Sequence, residues 1–386
     1  MESLNSAIEE FLKYPEKNKY NWNIIGDCKK VEENKNEEDE NEDNENEDEE
    51  IEDEENKEIK KLVYFGENKK DKNEIIFVKQ INLNYFQYNK ILKEIYFLLL
   101  LKNHKYFVKL INILISEDKQ YLCLVFNGNK IALSWLIGSD TDYLNNPRII
   151  KKIIYQISFG LYFLHSKGII HNDIKRSNIL INNNCSIEIC DFSSTTYNNE
   201  LSDEYTLYYA SPEFLINKKR DEKSDMWSFG IIIIELFLKK NLIFKKGNTN
   251  NKGNEIKMQI EFLLERFGIK SNILDNLIKK DEVKHIILQQ NEIEKINDKN
   301  ALYLIHNLLV LNPNKRFTAR QVLQSKYLQE FKEKDSLILD EVKNPLDSLD
   351  YKSLSDSINK ENFYEILNIL KFNKLMKKSF FFKLNI

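Results

Sequence analysis

Between Ile169 and Ser193 the chain alternates short apolar runs with isolated polar positions, IIHNDIKRSNILINNNCSIEICDFS. Two apolar triplets, Ile179 to Ile181 and Ile187 to Ile189, flank Asn182, Asn183 and Asn184, the pattern of a small hairpin. Such a hairpin closes Asn178 and Asp191 together at its open mouth, a few residues from Asp173 and Lys175. Elsewhere the periodicity changes with position. YNWNIIGDCKKV from Tyr20, LVYFG (62 to 66) and the β-branched EIIFVKQINL (74 to 83) read as strands, and YLCLVFNGN (121 to 129) as a buried one. NKILKEIYFLLLL carries Ile91, Leu92, Ile95, Leu98 and Leu99 at helical spacing. After Pro147, Ile150, Ile153, Ile154, Ile157, Leu161 and Leu164 mark one face of a long helix. SDMWSFGIIIIELFL (224 to 238) is apolar nearly all round, as a helix at the centre of a core must be. Shorter amphipathic patterns occur at Leu4, Ile8, Phe11 and Leu12, and at Phe363, Ile366, Leu367 and Leu370.

Charge changes this picture at one place. Residues 32 to 58 hold 18 acidic residues and 2 lysines, a net −16, so with −4 for the whole chain the remaining residues carry +12. The segment has almost no apolar content, must repel itself, and is expected to be disordered. It reads either as a tether near a basic cleft or as a harmless insertion. The basic remainder suits phosphate-bearing ligands or acidic partners, or reflects a surplus of Lys and Asn. Cys28, Cys123, Cys185 and Cys190 show no CxxC pairing, which suggests neither zinc nor a disulfide framework. The apolar stretch Ile231 to Leu238 is interrupted by Glu235, and the N-terminus lacks a signal-type apolar core. These features predict a soluble intracellular protein, in cytoplasm or nucleus, with neither a membrane nor a nucleic acid as direct partner.

Two carboxylates, a lysine and an amide converging at one hairpin mouth can take a proton from a hydroxyl, steady phosphate charge and bind Mg2+ through hard oxygens. That is phosphoryl-transfer chemistry. At these residues the chain resembles the eukaryotic protein kinases, with HNDIKRSN, DFS and SPE standing in the order of that family's H-R-D-L-x-x-x-N, D-F-G and A-P-E.

The resemblance implies an α+β bilobal kinase fold with a small β-rich N-lobe and a larger helical C-lobe. It implies an extension at 1–19 and a kinase domain at 20–330, with N-lobe 20–126, insertion 32–58 and C-lobe 130–330. A tail follows at 331–386. It makes Asp173 the catalytic base with Lys175 beside it, and Asn178 and Asp191 the Mg2+ ligands. Around ATP it places Gly26, Lys79, Glu94 as the partner of Lys79, the hinge residues Asn127 and Asn129, and Asn178 and Asp191. Phe126 would restrict the pocket behind the hinge. Thr206 matches the threonine that contacts the catalytic Asp and Lys. Glu213 and Arg316 match a buried structural pair, and Asp225 a residue that caps the backbone of the catalytic loop. His171 is expected to pack and hydrogen-bond rather than act as a base.

Within the family, YTLYYASPEFL, ELFLKKNLIF and QIEFLLERFG resemble the cyclin-dependent kinases of the CMGC group, with the LAMMER, or CLK-like, kinases as second choice. The first branch implies a cyclin-like activating subunit, although NKILKE matches its binding helix only at the end. Four departures stand out. The glycine loop is reduced to Gly26, Ser193 replaces the Gly of DFG, Asn172 the Arg before the catalytic Asp, and Ala210 the Arg before A-P-E. None removes a metal-binding or proton-transferring group. An active Ser/Thr kinase acting on a protein substrate with ATP and Mg2+ is the first reading; a nucleotide-binding or inert scaffold is the second. The polar stretch after Asp191 offers hydroxyls at Ser194, Thr195, Thr196, Tyr197 and Ser202 for incidental phosphorylation. With Asn172 in place of an arginine, such phosphorylation is not expected to switch the protein on.

Overall fold

β-branched and aromatic runs build one sheet, because residues that lose little on a pleated, half-buried surface line up there. In the computed structural model, which describes residues 22–28, 61–68, 75–84, 88–116, 119–128, 130–138, 142–197, 205–240, 252–268, 285–331 and 363, this sheet has five antiparallel strands. They are β1 (Trp22–Cys28), β2 (Lys61–Asn68), β3 (Ile75–Asn82), β4 (Leu110–Ile115) and β5 (Tyr121–Asn127), in the order β1-β2-β3-β5-β4. Cys28 pairs with Val63, so the chain leaves β1 and re-enters β2 side by side across the acidic residues 32–58. Those residues, the expected helix at 1–19 and the tail apart from Phe331 and Phe363 lie outside the described residues. Lys79 sits on the central strand β3, opposite Val63 on one side and Leu124 on the other.

Contacts divide the chain into two compact units. The first holds the sheet and the start of helix α1 (Tyr88–Leu101) as far as Leu92. Here Phe77 stacks on Phe126 with ring centroids 4.7 Å apart, and the fully buried Phe363 packs on Tyr88 at 4.7 Å.

The second unit takes α1 from Lys93, continues to Val108, and resumes at Lys130. Helix α2 (Leu133–Gly138) leads to α3 (Pro147–Ser166), which starts where the Asn146 side chain accepts from the Arg148 N–H and Pro147 occupies the first turn. Every position of its predicted apolar face, from Ile150 to Leu164, is buried. Helix α4 (Pro212–Asn217) precedes α5 (Glu222–Leu238), capped by Asp221 accepting from the Lys223 N–H. Helix α5 is buried almost throughout, as a uniformly apolar helix requires, and begins two residues before the predicted span. Among the described residues no helix is long and apolar enough to cross a membrane.

Candidate active site

The hairpin read from the triplets forms. The strands Ile179–Ile181 and Ile187–Ile189 pair antiparallel with Ile179 opposite Ile189, and Asn182 Oδ1 closes the turn by accepting from the Asn184 and Ser186 N–H groups. One step further, Cys190 N–H donates to Asn178 O at 2.9 Å, which brings Asn178 and the residue before Asp191 together at the mouth. The fold holds the residues leading to Asp173 from below. The carboxylate of Asp225, wholly buried on α5, accepts from the backbone N–H groups of His171 and Asn172 at 2.9 Å each and meets His165 Nε2 at 2.9 Å. Burial alone would raise this acid's pKa. The His165 hydrogen bond and charge, His171 and the backbone donor outweigh that and hold it below the usual carboxylate range.

At the centre stands a knot of four polar groups. Lys175 Nζ donates to Thr206 Oγ1 at 2.8 Å, and the Thr206 hydroxyl donates to Asp173 Oδ1 at 2.7 Å. Asn178 Nδ2 donates to Asp173 Oδ2 at 2.9 Å and to its backbone oxygen at 2.8 Å, and Lys175 Nζ lies 3.3 Å from Oδ2. Both carboxylate oxygens are thereby fixed in direction. With its nitrogen turned to Asp173, the Asn178 amide points its oxygen the other way. That oxygen and the Asp191 carboxylate are hard donors of the kind Mg2+ takes, so the donor set fits such an ion. Asp191 has a positive φ of 61°, and Ser193 Oγ donates to its Oδ1 at 3.0 Å.

His171 is fully buried. It accepts at Nδ1 from the Asp173 N–H at 3.3 Å and donates at Nε2 to Cys190 O at 3.1 Å. Its ring packs on Phe192, which in turn meets Phe107. Glu213 and Arg316 form a bidentate pair at 2.8 and 3.0 Å. In the sheet unit, Gly26 falls inside β1 beside a register irregularity, rather than in a free loop, and Lys79 is half-buried on β3. Glu94 lies buried on α1. Asn127 is the exposed last residue of β5, and Asn129 lies outside the described residues.

Some functional features were not read from the sequence. Asn172, noted only as a lost arginine, has φ of 67° and donates through Nδ2 to Ser194 O at 2.9 Å and Thr196 Oγ1 at 2.7 Å. The hydroxyls of Ser194, Thr195 and Thr196, expected to be open to modification, are buried, because this clip and the pairing of Thr196 with Ile170 draw them inward. Ser202 lies outside the described residues. Glu235 looked like a mere interruption of an apolar run. It is buried, accepts from Tyr209 Oη at 2.8 Å and lies 3.8 Å from Arg176 Nη1 under the catalytic loop. A carboxylate in the middle of such a run was the available signal. Gly128 is a further such feature. Its N–H donates to Ile75 O at 2.7 Å, and a Cβ there would stand 2.7 Å from Ile75 backbone atoms.

Two carboxylates, a lysine and an amide thus stand on one loop and hairpin, over a buried helix whose Asp225 caps the loop. The protein kinase domain model matches residues 28–328, and the chain belongs to that family. Among its relatives are mitogen-activated protein kinase hog1 of Trichoderma harzianum, 32% identical over 212 residues, covering 51% of this chain and 57% of that protein. Another is the HOG1 kinase of Chaetomium globosum, 32% identical over 209 residues, 50% of this chain and 56% of that protein. The hog-1 kinase of Neurospora crassa matches to the same extent. The chain thus spans somewhat over half the length of the curated relatives it matches. These relatives fall in the CMGC group, on its mitogen-activated side, and give the expected cyclin-like subunit no support.

Proposed function

We propose that the chain is a Ser/Thr protein kinase that moves the γ-phosphoryl group of ATP to a hydroxyl of a protein substrate. The observation that carries this reading is the knot at Asp173. Thr206 and Asn178 aim the two carboxylate oxygens, so the carboxylate is pre-oriented to accept the proton of an incoming hydroxyl. Lys175, held 3.3 Å from that carboxylate, places its positive charge where the transferring phosphoryl oxygens gather charge. Asn178 and Asp191 are the residues that would hold Mg2+, which when bound neutralises phosphate charge. The resemblance assigns Lys79 and Glu94 to the nucleotide.

The departures from the family pattern spare this set. Ser193 bonds to the carboxylate it follows, and Asn172 bonds to the segment it precedes, so each substitution has acquired a partner. The test is transfer of radiolabelled phosphate from ATP with Mg2+ to a generic protein substrate. Wild type is expected to turn over, Asp173→Ala to lose turnover while binding nucleotide normally, and Lys79→Met to bind nucleotide more weakly. Normal ATP binding by wild type with no transfer to any substrate would overturn the reading in favour of a scaffold.

A further inference from the structure

Of the five histidines in the chain, three are engaged in the interior. His104 packs among aromatic rings, His171 is fully buried and hydrogen-bonded within the catalytic loop, and His165, its side chain 8% exposed, meets the Asp225 carboxylate. The other two lie at the surface of the second unit and face each other. His285 is exposed and His306, on the helix Lys299–Leu308, is half-buried. Their ring centroids are 6.0 Å apart, with 51° between the planes.

The backbone holds the pair in place. His285 bridges Val310 antiparallel, the Ile286 N–H donates to Leu309 O at 3.2 Å, and the Ile287 N–H donates to Arg266 O at 2.7 Å. The His285 ring is oriented as well. Its Nδ1 lies 2.7 Å from His306 O, and a carbonyl oxygen only accepts, so the proton of the neutral imidazole sits on Nδ1 and the Nε2 lone pair is left for a ligand. Metal-ligating imidazoles are fixed in this way, by a backbone carbonyl on the other ring nitrogen. Among the described residues the His306 ring makes no hydrogen bond that would claim its own lone pair. A Zn2+ ion about 2.1 Å from one nitrogen of each ring separates the centroids by about 5–6 Å, a range that takes in the observed spacing. No third His, Cys, Asp or Glu joins the two among the described residues, which makes the site an open one rather than a closed four-ligand cage.

We propose that His285 and His306 form a surface site for a borderline-soft divalent cation, Zn2+ first, whose remaining coordination positions are filled by water. Neutral imidazoles suit Zn2+, Ni2+ and Cu2+ and serve Mg2+ and Ca2+ poorly, so this cation is of a different kind from the one that the oxygen donors of Asn178 and Asp191 fit. A bound ion ties the strand-like stretch at His285 to the helix Lys299–Leu308, with one ligand from each. It stabilises the folded chain, because the unfolded chain does not hold the two rings together. The site is independent of the kinase reading, since neither residue belongs to the catalytic set.

The test titrates ZnCl2 into the full chain by isothermal titration calorimetry, with thermal melts in parallel and with His285→Gln and His306→Gln as variants. Wild type is expected to take up Zn2+ at a site that each variant weakens by about tenfold or more. It is expected to melt about 2–4 °C higher at a Zn2+ concentration tenfold above the dissociation constant, and EDTA to reverse the rise. MgCl2 is expected to give no rise that depends on either histidine. Carbethoxylation with diethyl pyrocarbonate, read by mass spectrometry of the peptides, views the rings directly: Zn2+ is expected to slow modification of His285 and His306 together. Should the half-buried His306→Gln fail to fold, the exposed His285→Gln and the protection of both rings in wild type carry the test. No Zn2+-dependent heat or melting shift in wild type overturns the proposal, as do a loss of uptake in one folded variant but not in the other and equal effects of Mg2+ and Zn2+. Zinc held instead by the acidic residues 32–58 or by Cys185 and Cys190 would appear as uptake of the same affinity and stoichiometry in wild type and both variants, and overturns it too.

Discussion

At Asn172 a short amide stands where the family places a long cation, and the backbone explains why the exchange is tolerated. A φ of 67° is costly for most side chains and least so for Asn, Asp and Gly. Its Nδ2 then reaches both Ser194 O and Thr196 Oγ1, so the start of the activation segment is tied to the catalytic loop by hydrogen bonds made from within. Asn172→Asp should be the most damaging substitution, since a carboxylate oxygen would face the Ser194 carbonyl with no proton to share. Asn172→Gly keeps the backbone and loses only the clip, at a cost of about 1–3 kcal/mol. Thermal melts and turnover measured on both variants check the order, Asp below Gly below wild type. Because three of the segment's hydroxyls are buried and the clip needs no phosphate, phosphatase-treated protein is expected to match untreated protein within about twofold. A tenfold loss, about 1.4 kcal/mol of activation free energy, would show a phosphate at work.

Elements are joined here by buried charge as well as by apolar packing. Arg316 is almost wholly buried and makes its bidentate pair with Glu213 of α4, while also donating to the backbone oxygens of Lys223 and Val310. Arg316→Met removes one partner and leaves Glu213 charged in the interior, so a loss of about 3–5 kcal/mol is expected in chemical denaturation. The double variant Arg316→Met with Glu213→Leu should recover much of it, because no uncompensated charge remains. In the sheet, Gly128 lets the chain leaving β5 press against Ile75 of β3, and Gly128→Ala must push the two apart. The expected outcome is a lower melting temperature together with weaker nucleotide binding, since the displaced residues begin the stretch assigned to the hinge. Unchanged nucleotide affinity in a melted-down variant would separate the hinge role from the packing one.

For the molecule as a whole, stability should fall on the acid side partly because of one histidine. His104 is buried against the rings of Tyr106, Phe107 and Phe163, and its Nδ1 accepts from the Tyr106 N–H. Burial first, and the charge of Lys105 second, lower its pKa from 6.5 to about 4. The folded state therefore favours the neutral ring. Stability is intact above pH 6.5 and is lost as pH falls toward and through about 4, a change of about 3 kcal/mol from this group. His104→Phe should cost about 1 kcal/mol at neutral pH for the lost hydrogen bond, yet show a shallower decline between those limits. Denaturation at a series of pH values checks it, and parallel curves would refute it. Local rules were enough for what depends on chain neighbours. The hairpin triplets, the face of α3 and the uniformly apolar α5 were legible because strand and helix periodicities are written in adjacent residues, and the order of HNDIKRSN, DFS and SPE carried the family. What spacing could not carry was which distant groups meet. The clip of Asn172 to Thr196, the Glu235 carboxylate between Tyr209 and Arg176, the close approach of Gly128 to Ile75 and the stacking of Arg220 on Phe214 all join residues whose partners are set by how elements pack. A hydrogen bond or an ion pair has a range of a few ångströms and no signature along the chain, so only the tertiary structure decides it.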